Sequence, residues 1–418
     1  MDVISVLLGI SLILFFGFFA EFIFKKFNIP DILFLIILGF VLGPYVSDIV
    51  SPDQLISIAP VFTTFTLLFL LFDGAFNINL VSLLREFSES FILTLFNFVI
   101  SSLVIMVVMW IGGFPWLLSL LTGFLLGGVS SAFVIPLLKQ MKLGSRIYSL
   151  LTLESALTDV FCIVASLTII EIINLGTFAL KETLTQIASL FAIAGLVGLI
   201  GGVVWIILIV KVFKEHNYMI SIAYLLLIYV LTEFLNGNGA IAALFFGLIL
   251  KNSKQLTSII KGILTKEAKE KKSALKGKLG TRATTPSEEF FYHQISFFLK
   301  TFFFVYIGLL IDLSDIKALI IGIILSFILM GTRMASSLLT RKMNGSHRSL
   351  VNSIFARGLA AAAIAQLAIE AGVPQAAFIM KVAFVTITGT ILLSSIRVFF
   401  VKRTLSNSSK STKPKVAA

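Results

Sequence analysis

The chain has 418 residues, 58% of them hydrophobic, with a net charge of +12 and a mean hydropathy of +1.05. So apolar a chain cannot be a soluble protein around one buried core, and its recurring apolar runs mark an all-α polytopic membrane protein. A basic excess in a soluble domain would suggest nucleic acid. Here the basic residues stand in loops between apolar runs, so the expected partner is the lipid bilayer, with no nucleic acid. Cys162 is alone and mid-span, which excludes a disulfide framework and a Cys-x-x-Cys metal site.

Read in chain order, Met1-Asp2 gives no basic region before the first apolar run, and Lys25-Lys26 follow it. That order argues against a cleavable signal peptide and puts the N-terminus outside. The apolar pattern predicts thirteen spans, near 3–24, 31–47, 58–80, 88–111, 115–140, 146–174, 184–212, 217–235, 238–251, 290–311, 316–340, 350–371 and 376–400. Alternation from an outside N-terminus then places the Lys139–Arg146, Lys211–Lys214, Lys251–Glu289 and Arg341–Arg348 loops in the cytoplasm, with the C-terminus. The opposite loops carry Asp48, Asp53, Glu182, Asp312 and Asp315. The chain divides accordingly into spans 1–9 (1–251), a lysine-rich cytoplasmic linker (252–289), spans 10–13 (290–403) and a short basic tail (404–418).

Two spans read as broken. In the fifth, Gly127-Gly128-Val129-Ser130-Ser131 precedes Pro136, whose ring weakens the helix one turn back. In the twelfth, Arg357-Gly358 opens the small-residue run Ala360–Ala363. Unwound backbone survives at membrane depth only inside protein or beside a water cavity. The two breaks correspond if residues 31–174 and 238–400 form two five-helix repeats, and their opposite starting sides make the repeats inverted. Matching breaks in inverted halves point to a transporter site at the midplane.

The sixth span carries Glu154-Ser155-Ala156-Leu157-Thr158-Asp159 in an apolar run from Ile147 to Ile173. Glu154 and Thr158 are i,i+4 neighbours in a helix, as are Ser155 and Asp159, so the four polar groups share one side. A charge at the bilayer centre costs roughly 2.5–3.5 kcal/mol even on the lenient insertion scale, so Asp159 needs a partner, a proton or a bound cation. Asp159, Glu154, Ser155, Thr158, Ser130 and Ser131 are therefore the expected ion and proton ligands, with Asp159, Ser155 and Glu154 touching the cation. Lys300, Arg357 and Asp73 are the expected charge partners, whereas Arg333, nearer a span end, reads as snorkelling to the surface.

Enzyme motifs fail. There is no Gly-x-x-x-x-Gly-Lys-Ser/Thr loop, and His216, His293 and His347 fall at predicted inner ends, which leaves no buried serine–histidine pair. No cofactor is expected.

The chain resembles the monovalent cation–proton antiporter superfamily, nearest in its motifs to the archaeal and bacterial sodium/proton antiporters of the NhaP type. The likeness rests on Glu154-Ser155…Thr158-Asp159, on Lys300 before Phe302-Phe303-Phe304-Val305-Tyr306-Ile307-Gly308, and on Ala356-Arg357-Gly358. It also includes Asn28-Ile29-Pro30-Asp31 and Leu38-Gly39…Leu42-Gly43-Pro44. The resemblance implies an NhaA-like fold, a homodimer, and a site in which cation and proton compete for Asp159. Two departures stand out: Val129-Ser130-Ser131 replaces the family's Thr-Asp-Pro, and Thr158-Asp159 replaces Asn-Asp. The expected function is exchange of a monovalent cation, Na⁺ first, for H⁺ across the cell membrane. K⁺/H⁺ exchange, invited by the missing acid, and a non-transporting sensor or scaffold are the alternatives.

Overall fold

The computed structural model describes residues 11–20, 22–23, 31–47, 59–76, 80–141, 145–175, 180–213, 218–264, 284–341 and 343–411. Among them all regular structure is helical. The elements are α1 (Ser11–Ala20), α2 (Asp31–Leu42), α3 (Ala59–Ala75), α4 (Leu80–Ile111), α5 (Trp116–Leu125), α6 (Ser131–Met141), α7 (Ser145–Leu175) and α8 (Leu180–Ile207). They continue with α9 (Tyr218–Phe234), α10 (Gly239–Lys251), α11 (Ser253–Leu264), α12 (Pro286–Leu309), α13 (Ile316–Arg333), α14 (Gly345–Ser353), α15 (Leu359–Glu370) and α16 (Ala376–Ser411). Among the described residues, six helical stretches, in α4, α7, α8, α12, α13 with its extension, and α16, are long and apolar enough to cross a membrane.

Both expected helix breaks are present. Residues 126–130 separate α5 from α6, and residues 354–358 separate α14 from α15. The cause in the first differs from the sequence reading. Pro136 lies inside α6, and the unwound stretch lies upstream, around Gly127-Gly128. A Cβ on Gly128 would stand 2.6 Å from Cys162 Sγ, and one on Gly127 would overlap Ser102, so only glycine allows this backbone so close to its neighbours.

Two further irregularities were not read from the sequence. The α8 helix ends in a π-helical turn, Leu208–Phe213, and α13 tightens into a 3₁₀ turn, Met334–Leu338, immediately after Arg333. The linker expected over 252–289 starts as a helix, α11, whose Leu256 packs on Ile206 and Ile249. Residues 265–283 of that linker, the Asn28-Ile29-Pro30 motif and the loop residues Asp48 and Asp53 lie outside the described residues.

The chain forms two compact units. The first comprises Met1–Pro60, Ser88–Gly176 and Lys300–Ala418; the second comprises Val61–Phe87 and Thr177–Leu299. In the first, α5 and α6 pack on α7, and α15 and α13 pack on α16. Small residues set these approaches: a Cβ on Gly322 would crowd Val385 at 2.6 Å, and one on Gly389 would overlap Ser326. Close backbone approach at small residues is how helices associate where lipid removes the hydrophobic driving force. Helices α2 and α12 cross in the same way, with Gly39 and Gly308 facing each other's backbone.

The second unit is an α8–α10 layer around an aromatic cluster. Phe72 stacks on Phe246 at 5.8 Å and meets Tyr292 edge-on at 5.1 Å, and Trp205 stacks on Tyr224 at 4.5 Å. Such pairs contribute about 0.5–1.5 kcal/mol each beyond the area they bury.

Candidate functional site

The site is built in the first unit, where α7 passes both helix breaks. The breaks are tied together by backbone and side chain. Ser130 N–H donates to Ala356 C=O at 2.8 Å. The Arg357 guanidinium donates to the carbonyls of Gly127, at 2.9 Å, and Gly128, and to Ser101 Oγ at 3.1 Å. Its backbone N–H is held by Thr390 Oγ1 at 3.0 Å. Arg357, 2% exposed, thus satisfies the carbonyls that the α5 terminus leaves open and supplies positive charge to the negative end of that half-helix. Sequence reading made Arg357 a charge partner of the site. The hydrogen bonds it makes go to neutral oxygens.

Gly358 completes the crossing. Any Cβ there would overlap the Ser130 side chain, so the absence of a side chain is what seats Ser130.

On α7, Asp159 is half-buried, and its Oδ2 accepts a hydrogen bond from the Ser131 hydroxyl at 2.5 Å. Ser131 is the first residue of α6, so the carboxylate meets the positive end of that half-helix. Among the described residues no cation lies within ion-pair distance of Asp159.

Glu154 is placed differently from the expectation that it coordinates the ion. It is 1% exposed, and both of its oxygens are engaged. Arg333 grips it with Nη1 to Oε1 at 2.5 Å and Nη2 to Oε2 at 2.8 Å, and Asn97 Nδ2 donates to Oε1 at 2.8 Å. Ser336 in the 3₁₀ turn holds the other end of Asn97 at 2.8 Å, while Arg333 Nε donates to Val351 C=O at 2.9 Å. This network joins α4, α7, α13 and α14 one turn below Asp159.

Arg333, read as a snorkelling residue, is 4% exposed and is the partner that sequence reasoning missed. One signal pointed to it, and another pointed to its neighbours in α4. It lies seven residues inside a span predicted to end at 340, about 10 Å from that end. In α4, Asn97 and Ser101 also stand i,i+4 in an apolar helix; the first meets Glu154 and the second meets Arg357.

Thr158 is hydrogen-bonded to the unwound segment and to its own helix. Its Oγ1 accepts from Val129 N–H at 3.0 Å, and its hydroxyl points at Ser155 C=O at 3.0 Å, which straps the unwound segment to α7. Ser155 Oγ donates to Thr152 C=O at 3.0 Å and keeps its lone pairs available. Ser130 Oγ is buried and has no hydrogen-bond partner among the described residues.

Lys300 is likewise not where the sequence reading put it. Its ammonium pairs with Asp31 Oδ2 at 2.8 Å, tying α12 to the first turn of α2. Asp73, the third expected charge partner, belongs to the second unit, where it meets His293 Nδ1. The structure therefore brings Ser131 to Asp159, strings Ser130, Thr158 and Arg357 around the crossing, and gives Glu154 and Lys300 permanent partners of opposite charge.

Comparison with known proteins agrees with this architecture. The sodium/hydrogen exchanger transmembrane family model matches residues 10–404. A relative from Methanocaldococcus jannaschii, named probable Na⁺/H⁺ antiporter 3, is 29% identical over 184 residues, covering 43% of this chain. That match spans about half, 47%, of the relative's length. A solved structure of the sodium proton antiporter MjNhaP1 from the same organism, at pH 8, superimposes with a TM-score of 0.74 at 20% identity, over 97% of this chain and 99% of that one. An electron-microscopy structure of MjNhaP1 gives 0.71 at 20% identity over the whole of both chains. With its family model matched along nearly its full length, the chain belongs to the transmembrane sodium/hydrogen exchanger family.

Proposed function

We propose that the protein is a secondary antiporter that exchanges Na⁺ for H⁺, with cation and proton competing for Asp159. The observation that carries this reading is the asymmetry between neighbouring acids on α7. Glu154 has a permanent guanidinium partner, whereas Asp159 has only hydrogen-bond donors. An ionised carboxylate at membrane depth is tolerable only when neutralised, and a proton or a monovalent cation each does this. Either form lets the site cross the low-dielectric barrier, and the bare carboxylate does not. Exchange follows from that exclusion.

In this mechanism Asp159 Oδ1 meets the cation, with Ser155, Ser130 and Ser131 offering hydroxyl oxygens. Glu154 and Thr158 hold the scaffold that positions them. Sodium as the ion is supported by the family's description and by the name of the Methanocaldococcus jannaschii relative. The same reading includes thirteen crossings in two inverted repeats, a homodimer in the cell membrane, an outside N-terminus with a cytoplasmic C-terminus, and a role in pH homeostasis.

The test is exchange in proteoliposomes carrying an imposed pH gradient. Wild type dissipates the gradient on addition of NaCl, and Asp159→Asn does not, while both proteins elute as the same folded species. Wild type silent toward every cation from pH 6 to 9 would favour a non-transporting membrane protein instead.

A further inference from the structure

The second break is held from two sides, and the crossing is one of them. Its ends are extended, with Ile354 at φ −100° and ψ 98° and Gly358 at φ −153° and ψ −151°. Extended backbone turns the polar groups of successive residues to opposite sides. Ala356 C=O faces the first break, where it accepts from Ser130 N–H at 2.8 Å. The groups on either side of it face α16. Phe355 N–H donates to Ser394 Oγ at 3.4 Å, the Ser394 hydroxyl donates to Ser353 C=O at 2.6 Å, and Arg357 N–H donates to Thr390 Oγ1 at 3.0 Å. The Thr390 hydroxyl gives its own proton to Thr386 C=O at 2.8 Å, which leaves a lone pair for Arg357. Thr386, Thr390 and Ser394 stand four apart on one face of α16 and are fully buried. An unwound segment at membrane depth keeps its place only while other protein groups satisfy its backbone.

We propose that Thr390 and Ser394 are positioning residues for exchange: they fix the register of the second break and, through it, the oxygens around Asp159. The proposal rests on the exchange reading above and adds to it residues of a helix outside the crossing. The route is short. Thr390 holds the Arg357 backbone, and the Arg357 guanidinium closes on the carbonyls of Gly127 and Gly128. Ala356, between the two residues that α16 holds, in turn holds Ser130. Ser131 follows in the chain and donates to Asp159 Oδ2 at 2.5 Å. Helix α16 is a firm reference for this register, since at Gly389 it lies against Ser326 of α13 with no room for a Cβ. Removing a hydroxyl from α16 therefore loosens the oxygens around Asp159 from a distance. Loosened ligands must be ordered by the arriving ion, and that ordering is lost from its affinity.

The experiment is Na⁺-driven exchange by the full chain in proteoliposomes, read as half-saturating Na⁺ concentration and maximal rate. Thr390→Val keeps the shape of the side chain and removes the acceptor. It is expected to raise half-saturating Na⁺ about tenfold while the maximal rate per folded protein stays within about twofold. Thr390→Ser, which keeps the hydroxyl, restores half-saturation to within about twofold of wild type. Ser394→Ala shifts it in the same direction as Thr390→Val, which keeps the test decisive where the valine variant fails to fold. Thr388→Val is the control: the Thr388 hydroxyl donates to Phe384 C=O of its own helix at 2.9 Å, and its loss leaves both quantities unchanged. An unfolded fraction lowers the rate and leaves half-saturation alone. Unchanged half-saturation in either α16 variant that folds would therefore overturn the proposal while leaving Na⁺/H⁺ exchange intact. A serine variant no closer to wild type than the valine variant would overturn it as well. Wild type that shows no exchange would overturn the exchange reading and this inference together.

Discussion

At the scale of single residues, the decisive contrast is between two carboxylates five positions apart on α7. Asp159 was legible in the sequence, because an acid in the middle of an apolar run has few uses other than ion chemistry. The fate of Glu154 was not legible. Its partner Arg333 lies 179 residues away, and no helical spacing reveals a contact of that kind. The pair is a bidentate, buried one, so removing one member leaves an uncompensated charge. Glu154→Ala is expected to cost about 3–5 kcal/mol. The double variant Glu154→Ala/Arg333→Ala, with no charge left in place, recovers a large part of it. Thermal unfolding of the four proteins of the cycle in detergent checks this. A Glu154→Ala protein as stable as wild type would show that the network is not what anchors α7.

At the scale of elements, function depends on two helices that stop and restart beside each other. Their existence was legible from glycine pairs and small-residue runs, but the cause of the first break was not. Proline was given the role, whereas the structure keeps Pro136 inside α6 and unwinds the chain at Gly127-Gly128. The reason is tertiary. The freed backbone groups are satisfied by Arg357, by Thr158 and by Ala356 of the other break, and none of these is near in sequence. Since a Cβ on Gly358 would overlap Ser130, Gly358→Ala must push the two breaks apart. Overpacking of this kind costs about 1–3 kcal/mol. The expected outcome is a lower melting temperature together with loss of exchange, whereas Gly331→Ala, where a Cβ meets nothing within 4 Å, changes neither. Equal behaviour of the two variants would mean that the crossing is looser than the backbone bonds imply.

At the scale of the whole molecule, a polar clamp closes one end of the first unit. Tyr45 OH and the Ser314 hydroxyl each donate to Asp312 Oδ1 at 2.6 Å, and Lys381 reaches Asp312 at 2.8 Å and Asp315 at 3.3 Å. The clamp joins the segment after α2, the α12–α13 loop and the start of α16. Hydrogen bonding from Lys381 first, then from Ser314 and Tyr45, holds the Asp312 carboxyl well below the usual carboxylate range. A depressed folded-state pKa stabilises above the unfolded value, near 4, and that contribution disappears as pH falls through and below it. Wild type should therefore melt higher than Asp312→Asn at neutral pH, with the gap beginning to narrow below about pH 4 and closing only at the depressed folded-state value well below that. A gap that stays constant between pH 7 and pH 3 would show that the clamp does not depend on this charge. The polytopic helical fold was legible from hydropathy alone. The division into two units was not, because one of its boundaries falls inside α12, whose span read as an unbroken apolar run.

The central claim is that cation and proton share one carboxylate, and proton release on cation binding tests it most directly. Purified protein titrated with NaCl in the calorimeter, in two buffers of different ionisation enthalpy, gives the number of protons released per cation bound. Competition at Asp159 predicts about one proton released per Na⁺ well below the midpoint of the pH dependence, about half a proton at the midpoint, and none from Asp159→Asn. Na⁺ binding without proton release in wild type, or equal release from the asparagine variant, would contradict it.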